Sequence, residues 1–268
     1  MVRNLDRRIA SFALLLFFGS VLAAGCSRGS ETAQPTDSPA GAGGDATGAT
    51  DSATSASEPS APPGSISLVA RYTGAIPAPQ PLTVDVDPEH CTGKVFDRSL
   101  IVDAETRGLA NVVLRLEKVR GSRTLPSTIT ITNKDCAFEP RVQVAMRGVK
   151  LGLANEDPVM HTTHAYEKNV FNQSLKKSET TPPIRPLRDA GIMRIKCDVH
   201  PWMLGWVVVH DNPYVEKTDE KGRLTIDQIP PGTYDYTIWH EKYPDGRTGK
   251  VTVESGSTAE ITIDFGEE

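Results

Sequence analysis

Cys197, His200 and Met203 lie within the seven residues CDVHPWM and carry the side chains best suited to binding a soft metal ion. A thiolate, an imidazole and a thioether together favour copper, and two His, one Cys and a weak axial Met form an electron-transfer site. The runs GIMRIK before this segment and LGWVVVH after it are β-like, so the segment is predicted to be a loop between strands. Met193, Ile195 and Cys197 share one face of the first strand, and the sulfur is predicted to point into the interior.

A further donor must come from elsewhere in the chain, and the segment LANEDPVMHTTHAY offers two candidates. His161 and His164 both follow a turn that is built from Asn, Glu, Asp and Pro. If HTTHAY is a strand, the two histidines point to opposite faces and only one of them can be a ligand. The residue types do not choose between them.

Other chemistries leave some of these residues without a role. A Cys-x-x-His pair could form half of a zinc site, but the sequence has no second Cys or His pair with zinc-like spacing. A catalytic Cys–His pair leaves Met203 unused. The chain has neither the paired H-x-H motifs of a multicopper oxidase nor a C-x-x-C-H haem motif, and His90, His210 and His240 are predicted to be surface residues. The sequence therefore predicts a metal-binding protein that is not an enzyme.

The N-terminal run MVRNLDRRIASFALLLFFGSVLAAGC has the parts of an export signal. Arginines precede an apolar stretch that is too short to span a bilayer comfortably. The ending LAAGC resembles the lipobox of bacterial lipoproteins, which implies a signal peptide over residues 1–25 and a lipidated Cys26. From residue 27 to residue 64 there is no Leu, Ile, Val or aromatic residue, so residues 26–64 are predicted to be a disordered tether.

The four cysteines must be assigned under the oxidising conditions that an exported protein meets. With Cys26 in the anchor, three thiols remain, and an odd number needs an explanation. Cys91 in DPEHCTGK and Cys136 in NKDCAFEP lie in turn-rich segments suited to a structural bridge, so these two are predicted to form a disulfide. Cys197 is then the thiol that needs a partner of another kind.

The chain reads as strands from Ser65 onwards, and the predicted fold class is all-β. Runs of β-branched and alternating residues, such as STITITN and LTVDVD, are separated by Gly, Pro, Asn and Asp. Residues 65–210 are predicted to form an antiparallel sandwich or barrel of about eight strands. Residues 211–268 are predicted to form a small β-sandwich domain that packs on the first one, because so short a unit is marginal alone.

Two motifs in residues 65–210 resemble those of a known family. CDVHPWM resembles the ligand loop of cupredoxins, in the short C-x-x-H-x-x-M form seen in amicyanin, and NEDPVMH is similar to the segment that carries their first histidine. The resemblance implies a cupredoxin-like Greek-key sandwich and one type 1 copper ion bound by His161, Cys197, His200 and Met203. Cupredoxins usually place an Asn after the first histidine, where it ties the ligand loops together. Thr162 stands there in this chain, and its hydroxyl is expected to replace part of that bonding in a looser site.

The C-terminal segment TDEKGRLTIDQIPPGTYDYTIWHEKY resembles a carboxypeptidase regulatory-like domain, a β-sandwich related in shape to starch-binding modules. The resemblance lacks a full first strand, so WVVVH is expected to be shared with the preceding unit. Tyr234, Tyr236 and Ile238 would share one face of the strand YDYTIWH, with Trp239 on the other. Aromatic side chains can stack on sugars, so the alternative function is a carbohydrate-binding or structural envelope lipoprotein without a functional metal.

The resemblances together imply a membrane-anchored copper protein that carries single electrons to or from a redox protein partner. In cupredoxins the electron leaves at the edge of the loop histidine, here His200, and Trp202 and Leu204 would form an apolar docking patch around it. The net charge of −5 argues against a nucleic-acid partner. The lipid on Cys26 would make the membrane contact, and Ser27 after it favours, by resemblance, the periplasmic face of the outer membrane.

Overall fold

A computed structural model of the chain describes residues 61–266, and the predicted signal peptide, Cys26 and nearly all of the predicted tether lie outside them. Within this range there are sixteen strands and a single helix of four residues. The prediction of an all-β fold class is therefore confirmed. The described residues contain no helix that is long and apolar enough to cross a membrane.

The elements follow one another with short connections, except between the first two strands. The first part of the chain contains β1 (Gly64–Tyr72), α1 (Pro88–Cys91), β2 (Val113–Leu116), β3 (Thr128–Lys134), β4 (Ala137–Glu139), β5 (Val142–Met146), β6 (Lys150–Asn155) and β7 (His161–Ala165). The remainder contains β8 (Phe171–Leu175), β9 (Thr180–Pro186), β10 (Gly191–Lys196), β11 (Leu204–His210), β12 (Val215–Lys217), β13 (Arg223–Ile229), β14 (Gly232–His240), β15 (Tyr243–Val253) and β16 (Thr258–Phe265).

Strands β3 to β11 form a sandwich of two sheets. One sheet has the strand order β5-β11-β10-β7-β8 and the other has the order β4-β3-β6-β9. Side chains from both sheets, including Leu151 and Leu153 of β6 and Met193 and Ile195 of β10, meet in one buried cluster. The proline-containing strand β9 lies at a sheet edge, where a residue without an N–H group leaves no ladder partner unsatisfied.

The sequence predicted an antiparallel sandwich, but both of its sheets contain a parallel pair of strands. Strand β3 pairs in parallel with β6, and β5 pairs in parallel with β11. The chain crosses between the two sheets from β4 to β5 and again from β5 to β6, so that β6 returns beside β3 in the same direction. Crossings of this kind give a Greek-key pattern, in which neighbours in a sheet are distant in sequence.

The other strands form two further sheets, with the orders β13-β1-β16 and β12-β2-β14-β15. Their shared core contains Ile66, Leu114, Ile226, Val251 and Phe265. Strands β1 and β2 belong to the range predicted as the first domain, so the strand pairing crosses the predicted division between residues 210 and 211. WVVVH was expected to be shared with the C-terminal unit, but it lies in β11 within the sandwich. The C-terminal sheets instead include β1 and β2.

The sandwich and the C-terminal sheets are joined by a compact contact beside β11. Trp206 of β11 meets Trp239 of β14 edge to face, with 5.4 Å between ring centroids. Arg141 holds Glu241 through two hydrogen bonds of 2.6 and 2.7 Å, and the indole N–H of Trp206 donates to the same carboxylate. Arg–carboxylate pairs with two parallel bonds fix orientation as well as distance. This contact holds the strand that follows the CDVHPWM loop.

Residues 82–87, LTVDVD, were predicted as a strand, and this prediction is wrong. Pro81 forms an isolated bridge with Phe96, and the residues between them form an irregular excursion that contains α1. Leu82 and Val84 do alternate towards the interior, but they pack on the Cys91–Cys136 region without a strand ladder. The predicted disulfide between Cys91 and Cys136 is present.

Candidate metal centre

The CDVHPWM loop closes the hairpin between β10 and β11. Lys196 pairs with Leu204, so residues 197–203 span the turn, and the N–H of Met203 donates to the carbonyl of His200 at 3.0 Å. Met193, Ile195 and Cys197 are all buried in the sandwich core, with Cys197 only 4 % exposed. The sulfur therefore points into the interior, as the alternation of the strand predicted.

His161, Cys197 and His200 come together at the end of the sandwich. The Sγ atom of Cys197 lies 4.0 Å from Nδ1 of His161 and 3.7 Å from Nδ1 of His200. The two imidazole centroids are 4.5 Å apart, and the three donor atoms all lie within 4.8 Å of one another. Both histidine side chains are fully buried. This is a preformed group of two nitrogen donors and one sulfur donor.

His164 lies on the opposite face of β7, as the alternation of a strand requires. Its ring stacks on Tyr166 at 3.8 Å, and its Nδ1 bonds to Asp198 at 2.9 Å on the solvent side. Of the two histidines that the sequence left open, His161 lies beside Cys197 and His164 does not.

A buried carboxylate, Asp157, orients His161. Its Oδ2 accepts hydrogen bonds from Nε2 of His161 at 2.8 Å and from the backbone N–H of Cys136 at 2.9 Å. Its Oδ1 accepts from the backbone N–H of Asp135 at 2.8 Å and from Nε2 of His90 at 3.2 Å. Burial alone would raise the pKa of Asp157, but these bonds outweigh it and hold the pKa well below its usual range. With Nε2 donating to Asp157, Nδ1 of His161 is left to face the thiol.

A second carboxylate, Asp87, orients His200 in the same way. Its Oδ2 lies 3.0 Å from Nε2 of His200, which leaves Nδ1 to face Cys197. The His200 side chain has no exposed surface, and the ring of Trp202 lies on another side of it at 5.2 Å. The edge of His200, where the resemblance places the exit of electrons, is therefore covered by Asp87 and its segment.

The Cys197 sulfur accepts hydrogen bonds from both sides of the group. The backbone N–H groups of Thr162 and His200 lie 3.3 and 3.4 Å from Sγ, and the Thr162 hydroxyl lies at 3.7 Å. Burial opposes ionisation of the thiol, but the hydrogen bond to Nδ1 of His161, which donates when the imidazole is protonated, and the bonds from these groups lower its pKa from 9.0 to about 6. The site therefore favours a thiolate at neutral pH, and a thiolate is the form that binds metals.

Thr162 also links the two ligand-bearing segments. Its hydroxyl accepts a hydrogen bond of 2.6 Å from the backbone N–H of Asp198 while it lies within donating distance of Cys197. Part of the bonding expected of an Asn at this position is thus made by the hydroxyl. Met203 is buried in the same core cluster as Cys197, and its role as a fourth donor stays a prediction.

Sequence reasoning missed the two carboxylates that hold the histidines. Asp157 lies four residues before His161 in the NEDPVMH motif, whose residues predict a turn and carry a family resemblance without indicating a hydrogen bond to the histidine. Asp87 is 113 residues from His200, in a run that was predicted to be a strand, and nothing local marks it. A second group, His90, Cys136 and Asp157, lies close together, but Cys136 is in a disulfide and cannot act as a thiolate ligand.

The prediction that His90, His210 and His240 are surface residues is wrong for the last two. His210 and His240 are buried, and Nε2 of His210 lies 2.9 Å from the carbonyl of Leu116. Burial lowers the pKa of His240 to about 4, so this imidazole is neutral in the interior. His90 is half-buried and bonded to Asp157, next to the metal centre.

The aromatic residues of β14 pack against the hydrophobic cores, with Tyr234 and Tyr236 partly buried and Trp239 buried. Tyr234 and Tyr236 pack against the same core as Ile238, and Trp239 lies on the opposite face, as predicted. Trp239 is 4 % exposed and is covered by Trp206, while the Tyr234 hydroxyl donates to the carbonyl of Pro230 at 2.7 Å. These contacts give the three aromatic side chains structural roles.

Several copper proteins of known structure are similar to part of the chain. A Cu-containing nitrite reductase from Thermus scotoductus SA-01 matches with 20% identity and a TM-score of 0.29, over 35% of this chain and 24% of the reductase. A purple cupredoxin from Nitrosopumilus maritimus matches with 20% identity and a TM-score of 0.27, over 30% of this chain and 98% of the other. A mutant of amicyanin in its Cu(I) form matches with 17% identity and a TM-score of 0.26, over 36% of this chain and 98% of amicyanin. The chain thus spans about a quarter of the nitrite reductase.

A family model matches the C-terminal part of the chain. Residues 200–261 match domain II of polysaccharide lyase family 4. This differs from the carboxypeptidase regulatory-like domain that the sequence was expected to contain, and the expectation is corrected accordingly. No curated protein matches the chain significantly.

Proposed function

We propose that the protein binds one copper ion through His161, Cys197 and His200, with Met203 as a weak axial donor, and carries single electrons. The observation that carries this proposal is the buried group itself, in which two Nδ1 atoms face one thiolate-prone sulfur. Two imidazoles and one thiolate are the donor set of blue-copper centres.

The donor separations fit a metal ion. With metal–sulfur and metal–nitrogen distances of about 2.3 and about 2.0 Å, donors on one ion lie about 3.5 to 3.7 Å apart at tetrahedral to trigonal angles. The observed sulfur–nitrogen separations of 3.7 and 4.0 Å lie within a few tenths of an ångström of that value. The ligand side chains therefore have to move little when an ion binds.

The donor chemistry favours copper over zinc. Structural zinc sites are closed by four strong donors, and catalytic zinc sites have three together with water. The described residues place one thiolate and two imidazoles together in the interior, and the neighbouring carboxylates Asp87 and Asp157 bind the far nitrogens of the imidazoles. A buried thioether, Met203, next to this set suits a soft ion.

Each residue of the group has a defined task. Copper supplies one-electron chemistry, as it alternates between the +1 and +2 states. Cys197 is held as a thiolate, and the N–H groups of Thr162 and His200 moderate its electron density. Asp157 and Asp87 prevent the imidazoles from turning. Rigid support of the donors keeps the rearrangement between the two oxidation states small.

Trp202 is the side chain through which we place the electron exit. The His200 edge is covered, whereas Trp202 is half-buried, lies 5.2 Å from the His200 ring and lines a surface pocket together with Leu82, Leu204 and Trp206. A redox protein partner that docks at this pocket would meet an aromatic ring adjacent to a ligand. The proposed docking site thus keeps the predicted patch of Trp202 and Leu204, but the electron leaves through Trp202 and not through the edge of His200.

The test is the visible spectrum of the copper-loaded chain. Strong sulfur-to-copper charge-transfer colour is expected, and the change His161→Ala should abolish it. His164→Ala is the matched control on the other face of β7 and should leave the colour intact. Colourless protein after copper loading, in which Cys197 still titrates as a free thiol, would refute the proposal.

The proposal includes attachment to the cell envelope through Cys26, with the folded part on the periplasmic face and the outer membrane favoured. It is supported by the LAAGC sequence and by the Ser that follows. Cells that express the chain should incorporate labelled palmitate into it, and the change Cys26→Ala should prevent this. Incorporation that persists in the variant would exclude Cys26 as the lipidation site.

A further inference from the structure

Residues 82–95 form a closed excursion over the metal centre, which we name the cover segment. Its base is closed by the bridge between Pro81 and Phe96 and by a hydrogen bond of 3.1 Å from the N–H of Leu82 to the carbonyl of Val95. Between these ends it contains α1 and no strand. The sandwich would be complete without it, since neither of the two sandwich sheets includes any of its residues.

The cover segment is attached to the site at three points. Asp87 bonds to Nε2 of His200, and His90 bonds to Asp157, which in turn holds His161. The third attachment is the disulfide from Cys91 to Cys136, the residue whose N–H also donates to Asp157. One short segment therefore contacts the supports of both imidazoles.

Apolar contacts complete the closure. Leu82, Val84 and Val95 pack around the disulfide, together with Trp202 of the ligand loop. Beneath this layer His200 is fully buried and Cys197 is 4 % exposed. Asp87 itself is 33 % exposed, so it lies at the boundary between the buried imidazole and solvent. Its backbone has a left-handed conformation with φ of 46° at the start of α1, a conformation that Asp adopts more readily than most residues.

We propose that Asp87 is a positioning residue for His200 and that the cover segment, held by Asp87 and the disulfide, controls access to the Cys197–His200 face of the centre. The carboxylate keeps Nδ1 of His200 directed at Cys197 and occupies the imidazole edge that solvent would otherwise reach. Access to the thiol and to a bound ion then requires the segment to lift. The part of this proposal that concerns the ion rests on the proposed copper function, whereas the part that concerns thiol access does not.

The first experiment needs no metal. The metal-free full chain is treated with iodoacetamide, and alkylation of the Cys197 peptide is followed by mass spectrometry, which separates it from Cys26. Asp87→Ala should speed alkylation about tenfold or more, because loss of a hydrogen bond to a charged group shifts a local opening equilibrium by that order. Asp87→Asn, which keeps an acceptor, should stay close to wild type.

Two further variants make the result specific. Asp85→Ala removes an exposed carboxylate two residues away and should not change the alkylation rate. The double change Cys91→Ala and Cys136→Ala should accelerate alkylation further when it is combined with Asp87→Ala. If Cys197 in Asp87→Ala is alkylated no faster than in Asp85→Ala, Asp87 does not hold the cover, and the proposal is overturned even if the double cysteine variant does not fold.

The second experiment uses the copper-loaded chain. Removal of Cu(II) by EDTA should be faster in Asp87→Ala than in Asp85→Ala, with copper affinity lowered by about 10- to 100-fold, and Asp87→Asn should restore most of the difference. Equal removal rates and affinities in Asp87→Ala and Asp85→Ala would overturn the positioning role. Failure of every variant and of wild type to bind copper, together with the expected alkylation pattern, would refute the copper function and leave the cover intact.

Discussion

The two histidines of the metal centre are both held by a carboxylate, but the two supports differ in kind. Asp157 is 4 % exposed and accepts four hydrogen bonds, two of them from backbone N–H groups at the turn between β3 and β4. Asp87 is 33 % exposed and bonds to His200 from a segment outside the sandwich sheets. The His161 side is thus part of the core of the fold, whereas the His200 side is completed by an addition to it.

Because of this difference, we expect Asp157 to affect mainly the stability of the fold and Asp87 to affect mainly the access of solvent to the metal centre. A carboxylate that satisfies several buried donors cannot be removed without leaving them unpaired, so it contributes to folding. A carboxylate at the surface that contacts one imidazole contributes little to folding, but it decides whether that imidazole meets solvent. Mutations on the two sides should therefore have effects of different size on different observables.

The largest effect is expected from Asp157→Ala. The change leaves the N–H groups of Asp135 and Cys136 and the imidazole of His161 without their acceptor, and we expect a loss of about 3 to 5 kcal/mol of unfolding free energy. Asp87→Ala, the matched change on the other side, should cost about 1.5 kcal/mol. Urea denaturation of the metal-free proteins measures both. Equal losses would show that the two supports do not differ as described.

A pH dependence should follow from the thiol that lies between the two sides. The folded-state pKa of Cys197 is depressed from 9.0 to about 6, so the folded protein releases this proton at a lower pH than the unfolded chain. The contribution to stability is complete above about pH 9 and is lost as pH falls through about 6. The unfolding free energy of the metal-free protein should therefore decrease as the pH is lowered from about 9 to about 6, and in Cys197→Ser it should decrease less. Parallel profiles for the two proteins would contradict a thiolate at this site.

The smallest effect on stability is expected from Thr162, which links the segment that carries His161 to the loop that carries Cys197 and His200. Thr162→Val removes the hydroxyl that accepts from the N–H of Asp198 and lies 3.7 Å from the sulfur. The expected loss is about 0.5 to 1 kcal/mol of unfolding free energy, since one part-buried N–H group loses its acceptor. Thr162→Ser keeps the hydroxyl and serves as the control. In copper-loaded protein the charge-transfer band should shift in the Val variant and not in the Ser variant; an unchanged band in both would exclude a contact between the hydroxyl and the thiolate.

The sequence was sufficient for features that depend on local alternation. The period of two along β10 placed Cys197 inside, and the same period along β7 separated His161 from His164. The parity and turn contexts of the cysteines predicted the Cys91–Cys136 disulfide. These inferences needed only neighbours in the chain, and they describe most of the donor group.

Features that depend on long-range contact were not predictable in this way. LTVDVD alternates like a strand, but its side chains face the disulfide and the ligand loop, and Asp87 acquires its partner from 113 residues away. The burial of His200 beside Asp87 depends on that excursion, which lies outside the ligand motifs that carry the resemblance. The pairing of β1 with β13 and β16 likewise joins segments that carry no mutual signal.

The position of β1 between β13 and β16 has a consequence for the order of events during synthesis. Residues 65–72 pair in parallel with residues 258–265, so the earliest strand of the fold acquires one of its two neighbours only after nearly two hundred further residues have been made. Both sandwich sheets contain only strands from β3 to β11, so all of their strands have been made while β1 is still without partners. Closing so long a loop is slow, and an unpaired apolar strand is prone to aggregation in the interval. A ribosome-bound chain that ends after β11 should therefore bury Cys197 while Ile66 and Leu68 of β1 remain open to chaperones.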